Sequence, residues 1–463
     1  MSRLIFCFAV ACFCVRAASL LPPEQDQQLA REIYKQMIES KSGFSTGSTT
    51  PIAEAVATRL KAAGFPDADI YVGGPVPNKY NAIVRYHGTG KLKPILLLAH
   101  TDVVEAKRED WSMDPFQLIE KDGYFYGRGT SDDKAQAAIW VANLIRYKRE
   151  GFRPDRDLIV ALTADEEGGG PYNGVDWLLK NKRNLIEAEY SLNEGGRGES
   201  VAGRRISNDI GLAEKTYADF RFEVRNKGGH SSRPDPDNAI YHLAGALDRL
   251  SKFAFPFQLN DVTRAYFAQM AKIEKGSMAA DMAQVAQGSQ EAMQRIAAQS
   301  PGMNSMLRTT CVATELEGGH APNALPQLAA ANINCRIFPD DTVENVFATL
   351  KRVAADDQVK VVIKTDEGKA PPSPMRPDVM KAFSGVTDTI WPGVITLPSM
   401  ATGASDGRYL RAAGIPTYGI QGFFQDRNDV RAHGRDERMP VTSFYEGQTF
   451  LYELVKRLST SSD

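Results

Sequence analysis

The residues able to do chemistry fall in short clusters spread along the chain. His100-Thr101-Asp102 comes first, then Asp132-Asp133, then the consecutive acids Asp165, Glu166 and Glu167 ahead of three glycines. Glu194 follows in Asn193-Glu194-Gly195-Gly196, and His433 stands late, beside Gly434. Two imidazoles with three or four carboxylates suit zinc-like divalent ions. That is too many ligands for one tetrahedral shell, but two ions sharing a bridging carboxylate would use them all. Such a pair activates water and polarises a carbonyl. A carboxylate outside the shell must still carry protons, and the adjacent Glu166 and Glu167 are able to divide these tasks. By spacing alone either Asp132 or Asp133 could serve, and no HExxH pattern is present.

The elements that must position these groups can be read from the apolar pattern. Residues 94–99 (PILLLA) and 158–162 (LIVAL) are unbroken apolar runs, the mark of strands buried on both faces. The first runs into His100 and Asp102, which face the same way on an extended chain. The second runs into the three acids, and a short strand at 188–192 runs into Glu194. Helical spacing over 24–40, 51–63, 135–147 and 173–182 alternates with them. That order implies a mostly parallel α/β sheet with the polar groups gathered at its carboxyl edge.

From residue 215 the pattern changes. Ala218, Phe220, Phe222 and Val224 alternate with charged residues, as in a half-exposed strand. A helix (238–250), two strands (307–315 and 327–338), a helix (342–354) and a strand (358–364) complete the β-α-β-β-α-β order of a ferredoxin-like unit. A polar helical stretch over 255–306 interrupts it. The α/β pattern resumes near residue 369, with helices at 377–390 and 443–458. The expected organisation is a catalytic domain in two parts, 19–213 and 368–463, around an inserted α+β domain, 214–367, that contains the 255–306 stretch.

Composition narrows the function classes. A net charge of −2 gives no case for nucleic acid or an anionic membrane. Arg3 followed by the apolar run 4–15 and the small residues Ala17 and Ala18 reads as an export signal over 1–18, too short to span a membrane. A periplasmic or secreted protein with no membrane span is expected. Three of the five cysteines lie in that leader, leaving Cys311 and Cys335 on neighbouring expected strands, with their pairing open.

These motifs, together and in this order, resemble the M20 metallopeptidases, the group of carboxypeptidase G2, aminoacylase and succinyl-diaminopimelate desuccinylase. GRGTSDDK (127–134), GGHSSRP (228–234) and the stretch 318–326 add to the resemblance, which covers nearly all of the chain after the leader. It implies a zinc-peptidase catalytic domain with an inserted lid that also dimerises. It implies two Zn2+ ions (Co2+ or Mn2+ able to substitute), one held by His100, Asp132 and Glu194, the other by Asp132, Glu167 and His433. Asp132, two before Lys134, would bridge. Asp102 would orient His100, and Glu166 would be the base that takes a proton from the attacking metal-activated water. His230, Asn323 and Arg336 would reach the substrate from the lid, His230 from a second subunit in dimeric relatives, and Gly403 would line the pocket. Glutamate at position 194 is more typical of carboxypeptidases and deacylases, so the expected substrate is a peptide or N-acyl amino acid with a free carboxylate. An aminopeptidase or dipeptidase of the same fold is the alternative. A serine hydrolase is the remaining rival, since residues 403–407 fit G-x-S-x-G around Ser405, with Asp426 and His433 following.

Overall fold

The computed structural model describes residues 21–461, apart from 367 and 369. The expected leader, 1–18, lies outside the described residues. The catalytic body is built on a ten-stranded sheet whose centre is four parallel strands, Leu158–Thr163, Ile95–His100, Tyr190–Asn193 and Thr417–Gly419. Its two middle apolar runs are buried along their whole length. Alternate side chains serve opposite faces. Ile95, Leu97 and Ala99 join the core beneath helices Glu24–Glu39, Lys134–Arg149 and Val441–Ser459, while Leu96 and Leu98 pack with Leu178, Ile186 and Leu410 on the other side. Because the four central strands run the same way, their carboxyl ends share one edge, where an open α/β sheet offers a crevice.

Two strands of this sheet escape the apolar pattern. Arg204–Glu214 carries polar residues through a buried stretch: Asn208 is buried and donates to Thr387 Oγ1 at 3.0 Å, so hydrogen bonding rather than apolar character satisfies it. Ile395–Ala401 contains Pro398 yet pairs in parallel with it. A separate three-stranded piece, Arg438–Pro440 with Tyr124–Tyr126 and Ile119–Lys121, brings the chain near His433 back beside the segment that leads to Asp132.

The lid leaves this sheet at Lys215, between strand Arg204–Glu214 and strand Thr216–Arg225. Its antiparallel sheet has the order Thr310–Gly318, Leu328–Ile337, Thr216–Arg225, Lys360–Asp366, with helices Ala239–Lys252 and Val343–Ala354 on one face. Ala218, Phe220, Phe222 and Val224 point under those helices. Cys311 and Cys335 sit opposite each other on paired strands and are joined by a disulfide.

Beyond Phe255, which packs in the lid core, the 255–306 stretch leaves the lid in space. Its helices Asp261–Ile273, Gly276–Ala286 and Gln290–Ala297 form a small core of Phe267, Met270, Met282, Val285 and Ile296 that closes on Leu397 and Ile395 of the catalytic sheet. The unit expected over 214–367 is thus divided. The physical reason is the outer face of strand Ile395–Ala401, whose apolar side chains these amphipathic helices cover.

Candidate functional site

Three strand ends and one helix start converge. His100 ends its strand with its ring buried, and its Nε2 lies 2.9 Å from Asp132 Oδ1 and 3.8 Å from Glu194 Oε1. Its Nδ1 lies 3.1 Å from the backbone carbonyl of Asp102, which fixes the ring. His433 Nε2 lies 3.1 Å from the other oxygen of Asp132, Oδ2, and 3.0 Å from Glu167 Oε1. One carboxylate therefore stands between two imidazoles. Ligand atoms of His100, Glu166 and Glu194 lie within 4.8 Å of one another, and so do those of His100, Asp132 and Glu167.

The turn after strand Leu158–Thr163 divides its three acids. Asp165 adopts φ +61° and turns away to pair with the buried Lys79, 2.7 Å off. Aspartate tolerates this left-handed backbone better than most residues. Glu166 and Glu167 are thereby directed back to the cluster. Their backbone N–H groups donate to Asp102 Oδ1 and Oδ2 at 3.1 and 3.0 Å. The carboxylate of Asp102 thus clamps the acid-bearing turn, while its Oδ1 stays 3.7 Å from the His100 ring. Of the contacts from Asp102 to the His100 ring, the carbonyl makes the closer one.

Charge in the cluster is unbalanced. Burial raises the Glu194 carboxyl well above the usual range, and nearby Asp132 adds to this. Burial does the same to Glu166, with the carboxylates of Asp406, Glu167 and Asp102 adding to it. Burial also works against a charged His100 ring, yet the Asp132 hydrogen bond and the Glu194 and Glu166 charges hold its pKa high. The Asp132 hydrogen bond and the facing Glu167 carboxylate push His433 up to about 10. Asp132, despite its burial, is held low by the two imidazoles. Among the described residues no lysine or arginine pairs with Asp132, Glu166, Glu167 or Glu194. Glu167 Oε1 is buried and has no hydrogen-bond donor, although an imidazole faces it. An N/O donor set with excess negative charge and an orphaned inward oxygen fits divalent cations.

Several further residues hold this site. Glu437 is fully buried and accepts from Arg128 Nη1 (2.7 Å), Ser131 N (2.7 Å) and Asp132 N (3.2 Å), gripping the loop that presents Asp132. Arg128 in turn stacks on Trp111, 5.0 Å from the ring centre. Lys134 is buried with Nζ donating to the carbonyls of Met37 and Ser40, and burial pushes it down to about 7. Asp406 receives Asn173 Nδ2 at 2.6 Å and Thr163 Oγ1 at 2.9 Å beneath Glu166. Neighbouring glycine and aspartate letters hinted at these loops, but nothing in the sequence paired Glu437 with Arg128 across 309 positions.

The other candidates are placed as follows. Ser405 Oγ donates to Glu214 at 2.6 Å and is buried. His433 faces Asp132 and Glu167, so these residues do not form a serine relay. Gly403 lines a cavity of about 550 Å³ that opens beside Asp132 and Glu194. His230 and Asn323 meet on the lid, where strand Gly229–His230 pairs with Ala324–Leu325 and Ser231 N donates to the Asn323 carbonyl at 3.1 Å. Both are exposed and neither lines that cavity. Arg336, late in its lid strand, lies over Tyr217 at 4.7 Å, and its guanidinium also stands outside the cavity wall.

Fold and site together define a metallohydrolase with an inserted lid. The chain belongs to peptidase family M20/M25/M40, whose model matches residues 96–457. It is 27% identical to human N-fatty-acyl-amino acid synthase/hydrolase PM20D1 over 85% of this chain and 80% of that one. It is 26% identical to mouse aminoacylase-1 over 83% of this chain and 85% of that one. The M20 family metallo-carboxypeptidase Sso-CP2 from Sulfolobus solfataricus shares the fold with a TM-score of 0.71 at 17% identity, covering 93% of this chain and 99% of that one.

Proposed function

We propose that this enzyme is a di-zinc hydrolase of the amide bond next to a free C-terminal carboxylate, acting on N-acyl amino acids or on peptides as a carboxypeptidase. The observation that carries this is the carboxylate of Asp132 standing between two imidazoles, with the turn of Glu166 and Glu167 clamped beside it. In this reading His100, Asp132 and Glu194 hold one ion, and Asp132, Glu167 and His433 hold the other. Co2+ or Mn2+ could replace zinc. The bound ions would supply Lewis acidity toward the amide carbonyl and lower the pKa of a water. Glu166, outside both ligand sets, takes the proton of the attacking water. Its raised affinity for that proton lets it hold the proton near neutral pH and return it to the leaving nitrogen.

The names of the relatives, an N-fatty-acyl-amino acid hydrolase and an aminoacylase, favour an N-acyl amino acid over a longer peptide. Arg336 suits a substrate carboxylate, and His230 and Asn323 would act from the lid of a second copy. An exported protein is supported by the Cys311–Cys335 disulfide, which persists in oxidising compartments. No helix among the described residues is long and apolar enough to cross a membrane.

Metal content measured alongside hydrolysis of N-acyl amino acids, free dipeptides and C-terminally amidated dipeptides tests this. About two ions per chain, chelator-sensitive cleavage and a requirement for the free carboxylate are expected. Cleavage that ignores the carboxylate but needs a free amine would overturn the substrate class. Cleavage without metal would overturn the mechanism.

A further inference from the structure

The cavity beside the cluster is larger than a scissile amide needs, and its far end is unlike its mouth. At the mouth stand Asp132 and Glu194, and the wall carries Met303, Met400 and Phe423. Met303 comes from helix Pro301–Met306, so the stretch over 255–306 supplies part of the wall. Asp209, Glu199, Tyr266 and Arg197 line the floor. Glu199 is already neutralised by Arg427, whose Nε donates to it at 3.0 Å. Asp209 is not neutralised in this way. Its Oδ1 accepts from the Ser207 hydroxyl at 2.9 Å, and its Oδ2 has no donor among the described residues. The Tyr266 hydroxyl likewise makes no hydrogen bond there. An acid and a phenol left open at the end of a partly apolar recess have unfilled capacity for a ligand group.

We propose that this cavity is an extended subsite for an acyl arm with an apolar stem and a hydrogen-bond donor, hydroxyl or amine, at its far end. The proposal rests on the amide-hydrolase reading and adds the substrate class. The methionines and Phe423 favour a methylene stem, which they can follow without fixed shape. Asp209 Oδ2 accepts from the terminal donor, and the Tyr266 hydroxyl completes its hydrogen bonding. A plain alkyl end would leave both polar groups buried beneath it without partners, and that cost sets the preference. Burial, with Glu199 adding to it, pushes Asp209 up to about 7, against the opposing charge of Arg197. The floor is therefore able to accept from a hydroxyl over a wide pH range, while an amine is favoured where Asp209 is ionised.

The test is equilibrium binding to the metal-loaded enzyme of matched unsubstituted, ω-hydroxy, ω-amino and ω-carboxy fatty acids over a series of chain lengths. Hydrolysis of the corresponding N-acyl amino acids is followed in parallel. At the best-fitting length the ω-hydroxy or ω-amino acid should bind about tenfold more tightly than the unsubstituted one. Asp209→Leu and the conservative Tyr266→Phe should each reduce that ratio, Asp209→Leu reversing it. An ω-amino preference that fades below pH ~7 identifies an amine as the partner, and one that persists for the hydroxyl identifies an alcohol. Equal or tighter binding of the unsubstituted acid at every length, tightest binding of the ω-carboxy acid, or a preference untouched by both substitutions would overturn the proposal. Discrimination in binding without any hydrolysis would refute the amide-hydrolase reading alone. Hydrolysis without discrimination would refute this inference alone.

Discussion

The mouth and the floor of the cavity are both built from carboxylates out of bulk water, yet they are held in different states. At the mouth, Asp132 is shared by His100 and His433, and the hydrogen bonds from those rings outweigh its burial. At the floor, Asp209 has one serine hydroxyl, and burial prevails. Burial alone does not decide the charge of a site. The number and sign of the groups facing the carboxylate do. Asp132 is kept as an anion for cations, while Glu194 beside it and Asp209 at the floor, with fewer cationic partners, are pushed toward the protonated form by burial.

The largest effect should come from breaking the mouth. Glu166→Gln keeps size and shape but removes the proton carrier, so kcat should fall about a thousandfold with little change in KM. Metal content and thermal midpoint should stay near wild type, because Glu166 is outside the proposed ligand sets. Loss of metal along with activity would mean that Glu166 is a ligand, and the division of labour between it and Glu167 would have to be reversed.

The floor should answer to pH in the opposite way from a paired carboxylate. The folded pKa of Asp209 is about 7, above the unfolded value of roughly 3.9. The folded state therefore binds the proton more tightly, and stability from this group is complete below the unfolded value and lost as pH rises toward 7. Asp209→Asn removes that loss, since the amide oxygen still accepts from Ser207. Denaturation midpoints should match wild type near pH 4 and exceed it at pH 8, by at most about 4 kcal/mol. A variant less stable than wild type at pH 8 would show that Asp209 is ionised and partnered like Asp132.

How far each end was legible follows from how each is made. The mouth is written in short motifs at the ends of apolar runs, so His100, Glu166, Glu167 and Glu194 could be found from the strands they terminate. The choice of Asp132 over Asp133, and the assignment of His433 to one ion with Glu167, came from the family resemblance, because nothing local says which distant loops meet. Glu437 and Arg128 went unread for the same reason: a buried ion pair between separate loops has no periodicity. The floor was illegible because its strand, Arg204–Glu214, hides buried Asn208 behind a hydrogen bond. Its wall was assigned to the lid because the 255–306 stretch interrupts the lid in sequence, while its partner surface, Ile395–Ala401, contains Pro398 and did not read as a strand. Where polar groups are satisfied by specific partners, apolar pattern stops reporting burial.

A smaller effect is expected from the support behind the mouth. Asp102→Asn leaves one oxygen for two backbone N–H groups and places an amide N–H against the other, so the turn of Glu166 and Glu167 should loosen. Activity should drop about ten- to a hundredfold, with metal affinity falling alongside it. If metal affinity held while kcat alone fell, the clamp would serve Glu166 and not Glu167.

The smallest effect should separate wall from chemistry. Met303→Ser shortens a side chain that lines the cavity and belongs to neither proposed ligand set. Removing two or three methylene-sized groups of contact costs about 1–2 kcal/mol of binding when the arm lies against them, which is roughly five- to thirtyfold in KM for an acyl substrate. Uniform binding lost in this way leaves kcat unchanged. For a substrate with a short acyl group, which ends before the methionine, KM should not move either. The dependence on acyl length is what makes the measurement informative: a rise in KM shared by short and long arms would mean that the helix Pro301–Met306 shapes the mouth. A rise confined to long arms would place the mouth and the floor on one continuous path, with the helical stretch over 255–306 setting the distance between them.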